Sequence, residues 1–236
     1  MIKIKGFQTL TLLDYPGRIA ATVFTQGCNF RCPFCHNASL VVGFDKGEYI
    51  ASKSVLSHLE KRKGKLSGLC ISGGEPLLQK ELPDFIKCVK ALGYKVKLDT
   101  NGSLPNSLLS LLEAGLLDYV AMDIKNSREK YLITSGIETL INDDMLLLNI
   151  QKSIDILRSW GVPFEFRTTV VRELHSLDDI KQIGEWLAGD ELFFLQNFVD
   201  SGDLISSGLT ACTNDEMEGM CKCLKRFLPN VAIRGK

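Results

Sequence analysis

No apolar run in this chain approaches the roughly 20 residues that a membrane-spanning helix needs. Neither sign of charge is in excess: 28 Lys and Arg face 28 Asp and Glu, for a net charge of zero. That balance argues against a strongly basic nucleic-acid binder and against an acidic tail. The opening residues, Met1-Ile2-Lys3-Ile4-Lys5, lack the apolar core and small-residue cleavage site of a secretory signal. Long linkers, internal repeats and low-complexity segments are also missing. Histidine is scarce, at three residues. Two of them, His58 and His175, fall near expected helix starts or surfaces and read as incidental. What is left is an ordinary globular composition, 45% apolar and 24% charged in 236 residues, enough for a sizeable core. The expectation is a cytoplasmic protein with no nucleic-acid or membrane partner. Its cysteines should be reduced, so clustered ones point to metal rather than to disulfides.

Eight cysteines are present, and three fall within eight residues: Cys28, Cys32 and Cys35, at spacing C-x3-C-x2-C. Three thiolates on one tight loop can hold an iron–sulfur cluster by three of its four irons and leave the fourth open for chemistry. Zinc is the less favoured reading. Structural zinc wants four ligands in two separated pairs, and the fourth here would have to be His36 or a distant cysteine. Cys70 and Cys88 fall in an expected strand and helix and read as core. Cys212, Cys221 and Cys223 form a looser set. Cys221 and Cys223 are two apart on an expected helix and point about 200° away from each other, a poor geometry for one metal.

The stretch from Ile2 to Arg18 reads as short and turn-rich, with Asp14-Tyr15-Pro16-Gly17 as a turn. Ile19 to Thr25 is an apolar, β-rich run without polar alternation, as in a strand buried on both faces, and it leads directly into the cysteine loop. Strands are then expected at Leu69–Ser72, Lys95–Leu98, Tyr119–Ile124, Phe164–Val171 and Leu192–Phe198. Helices alternate with them, from Ser52 or Ser54 to Lys63, then Leu82–Leu92, Leu104–Ala114, Met145–Trp160 and Leu177–Leu187. A helix at Asp215–Phe227 and a short strand at Val231–Arg234 close the chain. This alternation is the signature of a parallel α/β sheet in one domain. Six main strands fall short of a closed eight-stranded barrel, so the expected form is a partial (β/α)6 TIM-like barrel, with a doubly wound sheet as the alternative. The domain reading is a single unit over 1–236, with a core at about 14–198 and a C-terminal helix and strand within 212–236.

Polar motifs end the successive strands, where such sheets keep their sites. Gly73-Gly74-Glu75-Pro76 follows the second strand; its glycines let backbone approach a ligand, and the carboxylate suits a cation such as an ammonium group. Alone, it could equally be a turn before a helix. Asp99-Thr100-Asn101-Gly102 and Asp123-Ile124-Lys125 end the next two strands. Their bland reading is helix capping plus a solvated lysine; their functional reading is a polar rim in which Lys125 meets a ligand carboxylate. Arg167 is balanced between that rim and a surface position.

Taken together these residues resemble a known family. The C-x3-C-x-aromatic-C loop, with Phe34 as the aromatic, is similar to the signature of radical S-adenosylmethionine enzymes. With His36-Asn37, Asp14-x-Pro16-Gly17 and the three strand-end motifs, the match from about Asp14 to Asn197 resembles the glycyl-radical-enzyme activases. Within these it is nearest the activating proteins of anaerobic ribonucleoside-triphosphate reductase. The resemblance implies a [4Fe–4S] cluster on Cys28, Cys32 and Cys35, with its fourth iron chelated by S-adenosylmethionine. It implies Gly73, Gly74 and Glu75 at the methionine ammonium and Lys125 at its carboxylate. Phe34 and His36 would lie near the adenosine, Ile124 beside the cofactor, and Asp99 and Asp123 at a cation and cofactor site. The implied reaction is reductive cleavage to a 5′-deoxyadenosyl radical, which takes a hydrogen from a glycine Cα of a partner enzyme. Electrons would come from a donor such as flavodoxin or ferredoxin. A rival implication is a radical enzyme acting on a small molecule, such as a 7-carboxy-7-deazaguanine synthase, although that family carries a longer cysteine loop. A plain iron–sulfur electron carrier explains the cysteines but not the polar rim. One departure stands out: some activases place a histidine near the end of the sixth strand, where this chain reads Phe194-Leu195-Gln196-Asn197-Phe198. Gln196 or Asn197 is the expected substitute.

Overall fold

The computed structural model describes residues 2–42, 48–137 and 143–235. In chain order the elements are β1 (Ile4–Thr11), β2 (Ala20–Thr25), α1 (Ala38–Val41), α2 (Ser52–Lys61), β3 (Gly68–Gly73), a 3-10 turn at Pro76–Leu78 and α3 (Leu82–Ala91). There follow β4 (Lys95–Thr100), α4 (Pro105–Glu113), β5 (Tyr119–Asp123), α5 (Tyr131–Ser135), α6 (Asp143–Trp160) and β6 (Phe164–Val170). The chain closes with α7 (Leu177–Leu187), β7 (Leu192–Asn197), α8 (Asn214–Leu224) and β8 (Val231–Arg234). The strands follow one another in chain order in one mostly parallel sheet of an α/β fold. A doubly wound sheet reverses its strand order partway. The consecutive order excludes that alternative and accords with the winding of a partial TIM-type barrel. No helix among the described residues is long and apolar enough to cross a membrane.

The short helices α1 and α5 lie outside the expected elements, and one strand departs from expectation. The stretch read as turn-rich contains β1, an eight-residue strand antiparallel to β2. Its register shifts between Ile4 and Gly6 and again between Gln8 and Thr11. Two irregularities in eight residues break the alternation by which a strand is recognised. The expected turn does form beyond it, closed by Arg18 N–H donating to the Tyr15 carbonyl at 3.1 Å.

By their internal contacts the residues form two compact units. The first comprises Met1–Asn29, Ser39–Ala121 and Ile150–Pro163. Within it β2, β3 and β4 run parallel, with Thr22 opposite Cys70 and Cys70 opposite Lys97. Leu69, Ile71, Val96 and Leu98 are wholly buried. Helix α3 presents Leu82, Phe85, Ile86 and Val89 to the interior at helical spacing. Burying a side chain of that size stabilises by roughly 1.5–3 kcal/mol, so the sheet and this helix face carry much of the unit's stability.

The second unit comprises Phe30–Ala38, Met122–Asn149 and Phe164–Lys236. There β6, β7 and β8 run parallel. Helices α7 and α8 each begin with a capping box, Ser176 with Asp179 and Thr213 with Glu216. The last strand is stapled to β6: Arg234 donates two bonds, at 2.7 and 2.9 Å, to the wholly buried Glu165. Its guanidinium lies 3.7 Å from the Phe194 ring centroid on the intervening β7.

Candidate active site

In the first unit the exits of β2 and β3 are bound backbone to backbone. Gly74 N–H donates to the Thr25 carbonyl at 2.9 Å, and Glu75 N–H to the Gly27 carbonyl at 2.8 Å. A Cβ on Gly74 would stand 1.9 Å from the Gly27 oxygen, and one on Gly73, at φ +117°, 2.3 Å from the Thr25 nitrogen. No side chain fits there. These glycines admit the backbone of the cysteine-loop stem, a use the ligand-based expectation did not contain. The Glu75 carboxylate is wholly buried. It accepts from Leu77 N–H at 3.0 Å, the Thr100 hydroxyl at 2.9 Å and Asn101 N–H at 2.7 Å. One carboxylate thus fixes the ends of β3 and β4 together.

Asn101 carries that order to the first cysteine. Its Nδ2 donates to Asn29 Oδ1 at 2.9 Å and lies 3.8 Å from Cys28 Sγ, while its Oδ1 accepts from Ser103 N–H and hydroxyl at 2.9 and 2.6 Å. Asn101 and Thr100 belong to a motif noticed in the sequence, yet only Asp99 was singled out. Their value lies in hydrogen bonds across β3 and β4 that spacing does not reveal. Asp99 itself is paired with Lys97, two residues back on the same strand.

In the second unit Cys32 is buried and Cys35 half-buried, and Cys35 N–H closes a tight turn on the Cys32 carbonyl at 3.0 Å. Burial pushes the Cys32 thiol up to about 11; the Lys125 ammonium pulls the other way but is outweighed. Cys35 is raised too, again chiefly by burial. Arg31 N–H donates to the Ser135 carbonyl at 2.8 Å, anchoring this part of the loop on α5. Phe34 is buried, edge-on to His175 at 6.4 Å between ring centroids. His36 lies edge-on to Phe198 at 5.7 Å, and burial lowers its pKa, with Asp200 opposing.

The end of β5 carries a charged knot. Asp123 accepts from Lys125 Nζ at 3.0 Å and from Arg167 Nε at 2.9 Å. Burial alone would raise its carboxyl, but the Arg167 guanidinium and Lys125 ammonium outweigh burial and hold it at about 2. Burial would likewise strip Lys125 of its proton, and the Asp123 carboxylate overrides that and holds the ammonium form. Arg167 is therefore no surface arginine; its side chain is 12% exposed. Ile124 is wholly buried, its N–H donating to the Arg167 carbonyl at 2.8 Å. His175, read from sequence as incidental, is buried beneath this knot. Its Nδ1 accepts from Val171 N–H at 3.1 Å, so Nε2 carries the proton and donates to the Lys125 carbonyl at 2.8 Å. A lone histidine ahead of a helix gives no sign of that role. Asn197, an expected stand-in for the missing histidine, is committed elsewhere: its amide exchanges two hydrogen bonds with the Cys212 backbone, at 2.7 and 3.0 Å.

Among the described residues no three His, Cys, Asp or Glu side chains converge as the ligands of one ion must. The cysteine loop and the Cys212, Cys221 and Cys223 set are therefore not arranged as single-ion cages. A cubane cluster asks for something different, three thiolates on three separate iron corners. Cys28, Cys32 and Cys35 are all free thiols on one loop with an amide donor beside the first sulfur, so the donor set fits a cluster with one open iron.

Comparison with known proteins agrees. The model of the radical SAM superfamily matches residues 22–187. A Methanocaldococcus jannaschii protein described as "putative glycyl-radical enzyme activating enzyme" is 30% identical over 234 residues, 98% of this chain and 95% of that one. A "probable GTP 3′,8-cyclase" of Saccharolobus solfataricus is 30% identical over 136 residues, 56% of this chain and 42% of that one. Among solved structures, a radical SAM methyltransferase from Sphaerobacter thermophilus superposes with a TM-score of 0.72 at 11% identity, over 95% of this chain and 68% of that one. Streptococcus suis SuiB bound to S-adenosylmethionine gives 0.66 at 14%, over 89% and 48%. The chain belongs to the radical SAM superfamily, whose enzymes work with a [4Fe–4S] cluster and S-adenosylmethionine.

Proposed function

We propose that this radical SAM enzyme is a glycyl-radical-enzyme activating enzyme of the cytoplasm, and that its partner is an anaerobic ribonucleoside-triphosphate reductase. The observation that carries the reading is the relative of that description, matched over 98% of this chain and 95% of its own. The match to the cyclase spans only 56% of this chain and 42% of that protein. When bound, the reduced cluster and S-adenosylmethionine supply the 5′-deoxyadenosyl radical that takes a hydrogen atom from the partner's glycine Cα.

The chain's own residues bind and orient. Cys28, Cys32 and Cys35 hold the cluster, each giving up its thiol proton to do so. Gly73 and Gly74 fix the loop stem, and Glu75 sets the strand ends against which the methionine ammonium rests. Lys125, kept charged by Asp123, receives the methionine carboxylate. Phe34, His36 and Ile124 form apolar and aromatic wall for the adenosine, where exclusion of water protects a radical. Asp123, paired with Lys125 and Arg167, balances the charge at the end of β5, and Asp99, paired with Lys97, does so at the end of β4. A flavodoxin or ferredoxin supplies the electron.

The test is anaerobic reconstitution with iron and sulfide, then incubation with S-adenosylmethionine, a reductant and the reductase encoded in the same genome. The expected outcome is a glycyl-radical doublet in electron paramagnetic resonance, lost in Cys32→Ala. Turnover of a small molecule with every glycyl-radical partner silent would instead favour the small-molecule reading.

A further inference from the structure

A site for S-adenosylmethionine must receive a carboxylate, and the strand ends proposed to line it already carry acidic side chains. Such a site needs positive charge, which comes either from a cation drawn out of solution or from the chain. In the first unit the chain supplies it. Lys97 is among the largest wholly buried side chains, 1% exposed, and its ammonium is bonded to the Asp99 carboxylate. The two residues are two apart on β4, so their side chains leave the same face of the strand. On that face Lys97 lies opposite Cys70, whose sulfur is 3.9 Å from Nζ, and Cys70 lies opposite Thr22. The row across the strands is thus Lys97, the Cys70 thiol and the Thr22 hydroxyl, which donates to the Asp14 carboxylate at 2.5 Å. An ammonium in such a place is costly unless paired, and Asp99 is the carboxylate bonded to it.

We propose that Lys97 is a resident counter-ion. Its ammonium gives Asp99 the positive charge that would otherwise be recruited as an alkali cation, so cofactor binding does not depend on which alkali cation the buffer contains. Lys97 is a positioning residue: it holds Asp99 and touches no reacting atom. The proposal rests on the reading above only for where the cofactor binds. The salt dependence itself can be followed in protein without cluster or partner.

The experiment compares wild type with Lys97→Met in sodium, potassium and choline chloride at one ionic strength. Two quantities are read: the melting temperature of the cofactor-free protein, and the dissociation constant for S-adenosylmethionine after reconstitution. For wild type both should be the same in all three salts. In Lys97→Met, which leaves Asp99 without its lysine, sodium or potassium should raise the melting temperature above that in choline. The same salts should tighten cofactor binding by about tenfold, the equivalent of about 1.4 kcal/mol. The double variant Lys97→Met/Asp99→Asn should lose this salt dependence. If Lys97→Met does not fold and the double variant does, loss of the Lys97–Asp99 pair is the cause, and the wild-type comparison of the three salts decides the proposal. Wild-type binding that saturates with sodium or potassium and fails in choline overturns it, whatever the variants do. A folded Lys97→Met indifferent to the cation overturns it as well. Neither result depends on a glycyl radical being formed, so failure here and failure of the functional reading are distinguishable.

Discussion

Glu75 serves two masters. Its carboxylate is a proposed neighbour of the methionine ammonium, and it is also the acceptor for three donors of its own unit. Substitution separates the two duties. Glu75→Ala strands those donors in the interior, and each unsatisfied buried group costs about 1–3 kcal/mol. The urea midpoint should fall accordingly. Glu75→Gln keeps one acceptor oxygen and nearly the same shape, so its stability loss should be smaller. If the carboxylate also faces the ammonium, binding of S-adenosylmethionine should fall further in Glu75→Gln than the stability loss accounts for, as isothermal titration would show. His175 is a second residue with a measurable signature. Burial lowers its pKa, so the folded protein favours the neutral ring. Stability from a depressed group is present above the unfolded value and lost as pH falls, so the loss should begin below about pH 6.5. The melting temperature of wild type should drop between pH 7 and pH 5. That drop should be shallower in His175→Gln, which titrates nothing. Asp123 belongs to a lower window: held at about 2, its contribution is present above about pH 4 and disappears as pH falls towards 2.

At the scale of elements, the main strand-to-helix alternation from β2 to β8 is legible because short apolar or alternating runs such as β2 and β4 are set off by helical periods and glycine turns. Strand β1 could not, since its two register shifts hide the period. The site divides in the same way. The cysteine spacing and the glycine pair announce themselves locally. The work of Asn101 and His175 is invisible, and that of Arg167 undecided between rim and surface, because it consists of hydrogen bonds to residues 72, 50 and 44 positions away. The staple on β8 makes an element-scale prediction. Arg234→Met leaves Glu165 buried without its bidentate partner and should cost about 3 kcal/mol, seen as an earlier unfolding midpoint. Replacing both residues by methionine should recover most of that loss, because two apolar side chains of similar volume leave no stranded charge.

For the whole molecule, the zero net charge has a kinetic consequence. Association driven by opposite long-range fields slows steeply as salt screens them. A protein with no net field should recognise a partner through short-range contact instead. Its association rate with the proposed reductase should change by less than about threefold between about 50 and 300 mM salt, measured by stopped flow or surface plasmon resonance. A steep fall would locate a local charged patch that the balanced total conceals.

The reciprocal bonds between Asn197 and Cys212 close residues 198–211 into a ring outside the strand. That ring leans on the cysteine loop where Ala38 N–H meets the Asp203 carbonyl, where Ser206 N–H meets the Pro33 carbonyl, and where Phe198 lies edge-on to His36. Beyond Ser206 the chain is exposed through Ser207 and Gly208 before it returns. Lengthening a closed loop is inexpensive, about 0.6 kcal/mol for each doubling. The segment at Ser207–Gly208 is therefore a natural insertion point. A fluorophore-labelled peptide placed there would sit near the cysteine loop, give an optical report of cluster loading, and leave the clasp at its base intact.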